Sequence, residues 1–301
     1  MTIVLPDDYH GTGALKSSNI QCITHDEALR EDIRALRIGV LNIMPKAETY
    51  EFSLLHPLGR SVLQIEPVWI RLKTHKYNSS NQFHLDKLYV PFEEAIEKQD
   101  LDGLIVTGAP VEDIPFEEVI YWPEVKSILH YAKSNVISTL GICWGGLALA
   151  KFLGIDKEDC KKKVFGVYKT FNLDREHSVT GEMDDEFWCA QSRHAGISDS
   201  VIEEYRDKGL LHLLAYCSEG AGYTIFESTD KRFLIHLGHP EYEPQRLIDE
   251  YNRDRLRGRK DVEPPKNFDM KNPVNTWRSH RIEFFSQWIK YIHETLLNNR
   301  G

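Results

Sequence analysis

Residues 136 to 146 read Val-Ile-Ser-Thr-Leu-Gly-Ile-Cys-Trp-Gly-Gly, and the apolar run Leu147 to Leu153 follows at once. A β-branched run that passes through Gly-x-Cys-x-Gly into helix-forming residues predicts a strand, a sharp turn and a helix, with Cys143 at the apex of a nucleophile elbow. Gly141 and Gly145 remove the Cβ atoms that would block so tight a bend. The helix that follows would favour a thiolate at its N-terminus and offer backbone N–H groups to an oxyanion. Taken alone, the segment fits a buried structural cysteine equally well, since free Cys packs as a small hydrophobe. A second motif separates the two readings. Arg232 to Tyr242 read Arg-Phe-Leu-Ile-His-Leu-Gly-His-Pro-Glu-Tyr, another strand running into a turn, with His239 and Glu241 two apart. A cysteine nucleophile needs a base, and the base needs an acceptor that fixes its tautomer. A lone His-x-Glu is common at strand ends. Paired with the elbow, it makes Cys143, His239 and Glu241 a candidate triad, with the Trp144 N–H and a donor from the Gly108 loop as the oxyanion hole.

The elements that must position these groups follow from the hydrophobic pattern. Strand-like runs at 36–44, 68–72, 103–107 and 136–142 alternate with helix-like segments near 51–59, 92–98 and 124–134. That rhythm predicts an α/β fold, a mostly parallel sheet with helices on both faces. Runs at 211–217, 223–227 and 233–237 are close together with turn residues between them, and read as a meander that delivers His239. Residues 245–257 and 280–297 read as helices, the second with Ile282, Phe285, Trp288, Ile289 and Ile292 at apolar positions. Residues 258–276, with Pro264-Pro265, read as a long loop. Nothing forces a domain boundary, so one domain is expected over residues 1–301, an N-terminal extension to about 34 preceding the catalytic core.

The elbow with His-Pro-Glu resembles the class I glutamine amidotransferase-like superfamily. Within it, almost the whole chain is similar to the homoserine O-acyltransferase family, through Leu41-Asn42-Ile43-Met44-Pro45, Thr107-Gly108-Ala109-Pro110-Val111-Glu112, Phe116-Glu117-Glu118-Val119 with Tyr121-Trp122, and the elbow itself. Further marks are Lys163 to Val167, Asp184 to Phe187, Ser192-Arg193-His194, Gly238 to Tyr242, Tyr251 to Asp254 and Trp277-Arg278-Ser279-His280. The resemblance implies a flavodoxin-like fold and a ping-pong transfer: Cys143 takes an acyl group from acyl-coenzyme A, and a substrate hydroxyl deprotonated by His239 accepts it. It places acceptor contacts at Lys163, Ser192 and Arg253, and two cations with a hydroxyl suit an amino-acid zwitterion. It also ties the position of Glu112 to the donor, glutamate going with acetyl-CoA and glycine with succinyl-CoA, because a carboxylate there repels and crowds a succinyl group. The expected reaction is therefore acetylation of L-homoserine, with acetyl-CoA as co-substrate and no bound cofactor or metal.

Departures from the family pattern keep a competitor in view. Ala47 stands where the family usually has lysine, Ser79 to His84 replace the usual Asn-Thr-x-x-Glu-His, and Ala190-Gln191 replace Pro-His. L-serine, one methylene shorter, is the alternative acceptor, since one methylene is worth only about 1–3 kcal/mol of discrimination. A glutaminase subunit feeding ammonia to a synthetase would use the same triad, but leaves the Ser-Arg-His and Trp-Arg-Ser-His motifs unexplained. Composition is that of a soluble globular chain: 301 residues, 41% hydrophobic, 28% charged. The net charge of −9 argues against a nucleic-acid partner. Five scattered cysteines without Cys-x-x-Cys argue against a disulfide framework and fit a reducing cytoplasm. No export signal or membrane span is expected, and a homodimer is compatible with the chain.

Overall fold

The computed structural model describes residues 2–31, 34–97, 99–217, 219–260 and 262–299. In chain order the first half runs β1 (Thr2–Val4), α1 (Thr12–Ser17), β2 (Gln21–Ile23), α2 (His25–Ala28), β3 (Leu36–Leu41), α3 (Ala47–Leu58), β4 (Gln64–Arg71), α4 (Gln82–Leu88), β5 (Val90–Pro91), α5 (Phe92–Glu97), β6 (Gly103–Val106) and α6 (Trp122–Asn135). The second half runs β7 (Ser138–Ile142), α7 (Trp144–Phe152), β8 (Glu158–Asn172), β9 (Glu186–Gly196), α8 (Asp199–Asp207), β10 (Leu211–Cys217), β11 (Gly222–Ser228), β12 (Phe233–His236), α9 (Pro244–Leu256) and α10 (Arg278–Asn298).

All these strands join one sheet. β2-β1-β4-β3-β6-β7-β12 lie side by side and parallel, and β11, β10, β8 and β9 continue antiparallel from β12. The short β5 pairs with the end of β4. Every residue of β6, β7 and β12 is buried, as strands at the centre of a two-sided sheet must be. Two apolar layers cover the faces. One contains Tyr50, Leu54 and Leu55 of α3 with Phe284, Phe285, Trp288, Ile289 and Ile292 of α10. The other contains Val125 and Leu129 of α6 with Leu147 and Leu149 of α7. The mostly parallel sheet with helices on both faces is thus the observed fold, and β10-β11-β12 form the expected meander.

Three features depart from the sequence reading. Residues 2–23 contribute β1 and β2 to this same sheet, across the boundary drawn near residue 34. Residues 158–196 hold the longest hairpin, β8 with β9, where no strands were expected. Its exposed half, Glu158 to Lys162, is charged and lacks the apolar alternation by which a strand is read. The predicted loop 258–276 lies alongside this hairpin: Val167 N–H donates to the Lys266 carbonyl, and Lys266 N–H to that of Phe165. Gly166 makes the contact possible, because a Cβ there would lie 2.2 Å from Lys266 N. The helix expected at 92–98 ends at Glu97, and Lys98 lies outside the described residues.

Candidate active site

β7 ends at Ile142, and Cys143 takes φ 53°, ψ −113° before α7 begins at Trp144. A non-glycine residue holds such a backbone only where its surroundings over-determine it. Here the constraint is close packing: a Cβ on Gly145 would lie 2.0 Å from the Val106 carbonyl oxygen, and one on Gly141 2.6 Å from that of Gly145. The two glycines let α7 start against β6 and β7, which turns the Cys143 side chain above the carboxyl ends of the strands. Cys143 N–H donates to the His236 carbonyl, continuing the parallel pairing of β7 with β12. The loop after β12 therefore emerges beside the elbow, and it carries His239.

His239 Nδ1 lies 2.8 Å from Glu241 Oε1, and both side chains are buried. Burial disfavours the imidazolium, yet the adjacent Cys143 and Glu241 outweigh it and hold His239 well above the usual histidine range. Burial also raises the Cys143 thiol, with His239 pulling against it. The two groups are therefore coupled, the charge of each favouring that of the other. The Cys143 Sγ sits 3.8 Å from the Ser192 carbonyl oxygen and 3.8 Å from Glu112 Oε2. Gly108 borders the pair: a Cβ there would be 3.5 Å from His239 and 3.6 Å from Cys143. The Trp144 ring packs away into the core against Phe116 and Tyr121, which leaves its N–H at the first turn of α7.

A cavity of about 170 Å³ opens over Cys143, lined among others by Gly108, Glu112, Lys163, Ser192, His239 and Arg253. Gly108, Glu112, Cys143, Lys163, Ser192, His239 and Arg253 thus meet at one cavity, with Glu241 behind His239 and the Trp144 side chain turned into the core. Ser192 and His194 line the cavity from β9, while Arg193 between them points the other way and donates to the Ala195 and Ala221 carbonyls. That alternation is the strand period.

Several contributors were not read from the sequence. On α9, Leu247, Glu250 and Asp254 share the buried face. Asp254 accepts from Lys163 Nζ at 2.7 Å and from Arg253 Nε at 2.9 Å. Glu250 accepts from the Ser192 hydroxyl and, at 2.8 Å, from the Tyr242 hydroxyl. Burial opposes its charge, but Lys163, Arg246 and Arg253 outweigh this and hold the Glu250 carboxyl down to about 2. Lys163, Ser192 and Arg253 are therefore organised by two carboxylates. Tyr242 stacks on His239 with centroids 3.9 Å apart, and Arg246 lies over the Tyr242 ring. Tyr50 of α3 donates to Glu241 Oε1 at 2.8 Å, the same oxygen that His239 uses. At the start of α10, the preceding Trp277 donates its Nε1–H to the Tyr242 carbonyl and the buried Arg281 pairs with Glu243 at 2.7 Å, so these two residues pin the His239 loop. The departures at 47 and 79–80 also fit together: Ser79 and Ser80 hydroxyls accept from the N–H groups of Lys46 and Ala47 at the start of α3.

A family model described as homoserine O-succinyltransferase matches residues 2–296. The homoserine O-acetyltransferase of Petrotoga mobilis is 39% identical over 97% of this chain and 94% of its own length. The protein of that name from Bacillus cytotoxicus is 38% identical over 97% of each. Among solved structures, a glutamine amidotransferase of Thermotoga maritima superimposes with a TM-score of 0.54 at 15% identity, covering 86% of this chain and 99% of that one. A glutamine amidotransferase of Methylobacillus flagellatus gives 0.50 at 14%, covering 86% and 96%. These two share the fold.

Proposed function

Since the chain belongs to the homoserine O-succinyltransferase family and is an acyltransferase, we propose that it transfers the acetyl group of acetyl-CoA to the side-chain hydroxyl of L-homoserine through an acyl-thioester on Cys143. The observation that carries this reading is the Cys143 thiol at a strained elbow, facing the His239–Glu241 pair in the same cavity as Glu112, Lys163, Ser192 and Arg253.

In the first half-reaction the Cys143 thiolate attacks the thioester carbonyl. The Trp144 and Gly108 N–H groups receive the oxyanion, and as the C–S bond breaks His239 gives its proton to the departing coenzyme A thiolate. In the second, His239 takes the proton of the acceptor hydroxyl as that oxygen attacks the acyl carbon. The Cys143 thiolate leaves, and the protonated His239 stays beside it. Glu241 orients the ring and stabilises its charge in both. Arg253 and Lys163 are assigned to the acceptor's carboxylate. Glu112, 3.8 Å from Sγ, faces the acyl group, where a succinyl carboxylate would meet a second negative charge.

The relatives' names specify homoserine and give the serine alternative no support. The glutaminase reading rests on fold alone and leaves the carboxylate-organised cations without a task. The test is intact-mass spectrometry after brief exposure to acetyl-CoA, followed by an acceptor panel. One acetyl adduct on the wild type, none on Cys143→Ala, and a higher kcat/KM for L-homoserine than for L-serine are expected. An active Cys143→Ala without adduct would sink the covalent route, and a preference for L-serine would sink the acceptor.

A further inference from the structure

Outside the catalytic cavity, His10, Glu51 and His84 converge where the N-terminal segment, α3 and α4 meet. Their ligand atoms all lie within 4.8 Å of one another. Glu51 is fully buried in α3. Its Oε1 is 2.7 Å from His84 Nε2 and its Oε2 is 3.9 Å from His10 Nε2. Two phenols fix the carboxylate from behind: Tyr9 donates to Oε2 at 2.7 Å and Tyr89 to Oε1 at 2.8 Å. Tyr89 is held in turn by the Asn42 amide at 2.8 Å. A carboxylate has about four lone-pair sites. The phenols occupy two of them, and the remaining two face the imidazoles. The His84 side chain is 16% exposed and that of His10 46%, so the cluster is closed on the protein side and open toward solvent at His10.

We propose that these three residues form a binding site for a divalent transition ion of the zinc type. Two imidazoles and one carboxylate suit such an ion far better than magnesium or calcium, which prefer all-oxygen sets. Ligand atoms about 2.0–2.1 Å from zinc are about 3.3 Å apart in a tetrahedron. His84 and Glu51 are already near that spacing, and a rotation of the half-exposed His10 closes the third side. The ion takes the place of the hydrogen bond between His84 and Glu51. Water fills the fourth position on the exposed side. The outer donors are those a built site needs, because hydrogen bonds to ligating carboxylates orient them for the metal. The bound ion staples the N-terminal segment to α3, one residue from the Tyr50 that holds Glu241.

The experiment is zinc binding by the full chain after chelator stripping, measured by calorimetry and by metal content after dialysis, with thermal unfolding alongside. The wild type is expected to hold one zinc per chain and to melt at a higher temperature with it. His10→Ala, at a half-exposed position that does not line the catalytic cavity, should fold, keep its basal activity and lose at least about tenfold in zinc affinity, on the scale of a disturbed ligand shell. Cobalt substitution should give visible d–d bands without a thiolate charge-transfer band. No retained zinc, equal affinity in His10→Ala, or a thiolate band that places the ion on a cysteine would each overturn the proposal and leave the cluster as a hydrogen-bond network.

Discussion

Glu112 is the residue on which the choice of donor turns. Burial raises its carboxyl to about 6, against a backbone hydrogen bond from His194 and the charge of His239. Above that pH it is ionised and faces the thiol that carries the acyl group; below it the group is neutral. A second carboxylate at about 4 Å is opposed by about 1–4 kcal/mol at dielectrics between water and a protein surface. Acetyl-CoA should therefore exceed succinyl-CoA by at least about tenfold in kcat/KM at neutral pH, which corresponds to about 1.4 kcal/mol. A succinyl carboxylate, with an ordinary pKa near 4.3, stays charged above pH 5, so the ratio of the two donors should shrink as pH falls through about 6. Glu112→Gln should make that ratio independent of pH, and Glu112→Gly should narrow or reverse it. A ratio that neither pH nor Glu112→Gly moves would return the residue to a purely structural place. Taking the ratio cancels the titration of Cys143 and His239, which both donors share.

At the scale of elements, α3 reaches the catalytic histidine at second hand. The Tyr50 hydroxyl shares Glu241 Oε1 with His239, so it fixes the carboxylate and draws off part of its negative charge. Tyr50→Phe should free that oxygen to stabilise the imidazolium more strongly, while leaving the ring less well oriented. The acidic limb of kcat/KM for the acceptor, where neutral His239 is the base of the acyl-enzyme, should move upward, and kcat should fall with little change in either KM. A lower melting temperature with an unmoved pH profile would mean that Tyr50 only packs. The N-terminus of α10 acts on the same loop from the other side, through Trp277 and Arg281, so the His-Pro-Glu turn is clamped between two helices of one layer.

For the molecule as a whole, α10 and α3 together cover one face of the sheet. Trp288, Ile289 and Ile292 are fully buried, and Trp288 Nε1 donates to the Ser138 hydroxyl in β7 at 3.0 Å, directly under the elbow strand. Trp288→Ala should lower the unfolding free energy by about 3–5 kcal/mol, the scale of a large aromatic removed from a core. In urea the midpoint should drop at a similar m-value. A loss under about 1 kcal/mol would show that α10 docks without contributing to the core. Among the described residues, no helix is long and apolar enough to cross a membrane, which accords with the elbow reading of residues 136–155.

Local chemistry made much of this legible beforehand. Gly-x-Cys-x-Gly between a β-branched run and an apolar helix admits few conformations, so Cys143 could be placed on an elbow, and the alternation of strands and helices identified the parallel sheet. The pairing of β7 with β12 was not legible, although it is what sets His239 beside Cys143, because the partner of a strand a hundred residues away is chosen by packing. The same holds for α9. Glu250 carried no signal in the sequence and Asp254 stood only within the Tyr251 to Asp254 mark; the burial of that face against Lys163 of β8 and Ser192 of β9 makes the two carboxylates organisers of the cavity. Nor does spacing join Tyr50 to Glu241, 191 positions apart. Sequence alone determined which groups could do the chemistry, since that is a property of residue type and local backbone. The tertiary structure decided which groups hold them, since buried charges and phenols find their partners through the fold and not along the chain.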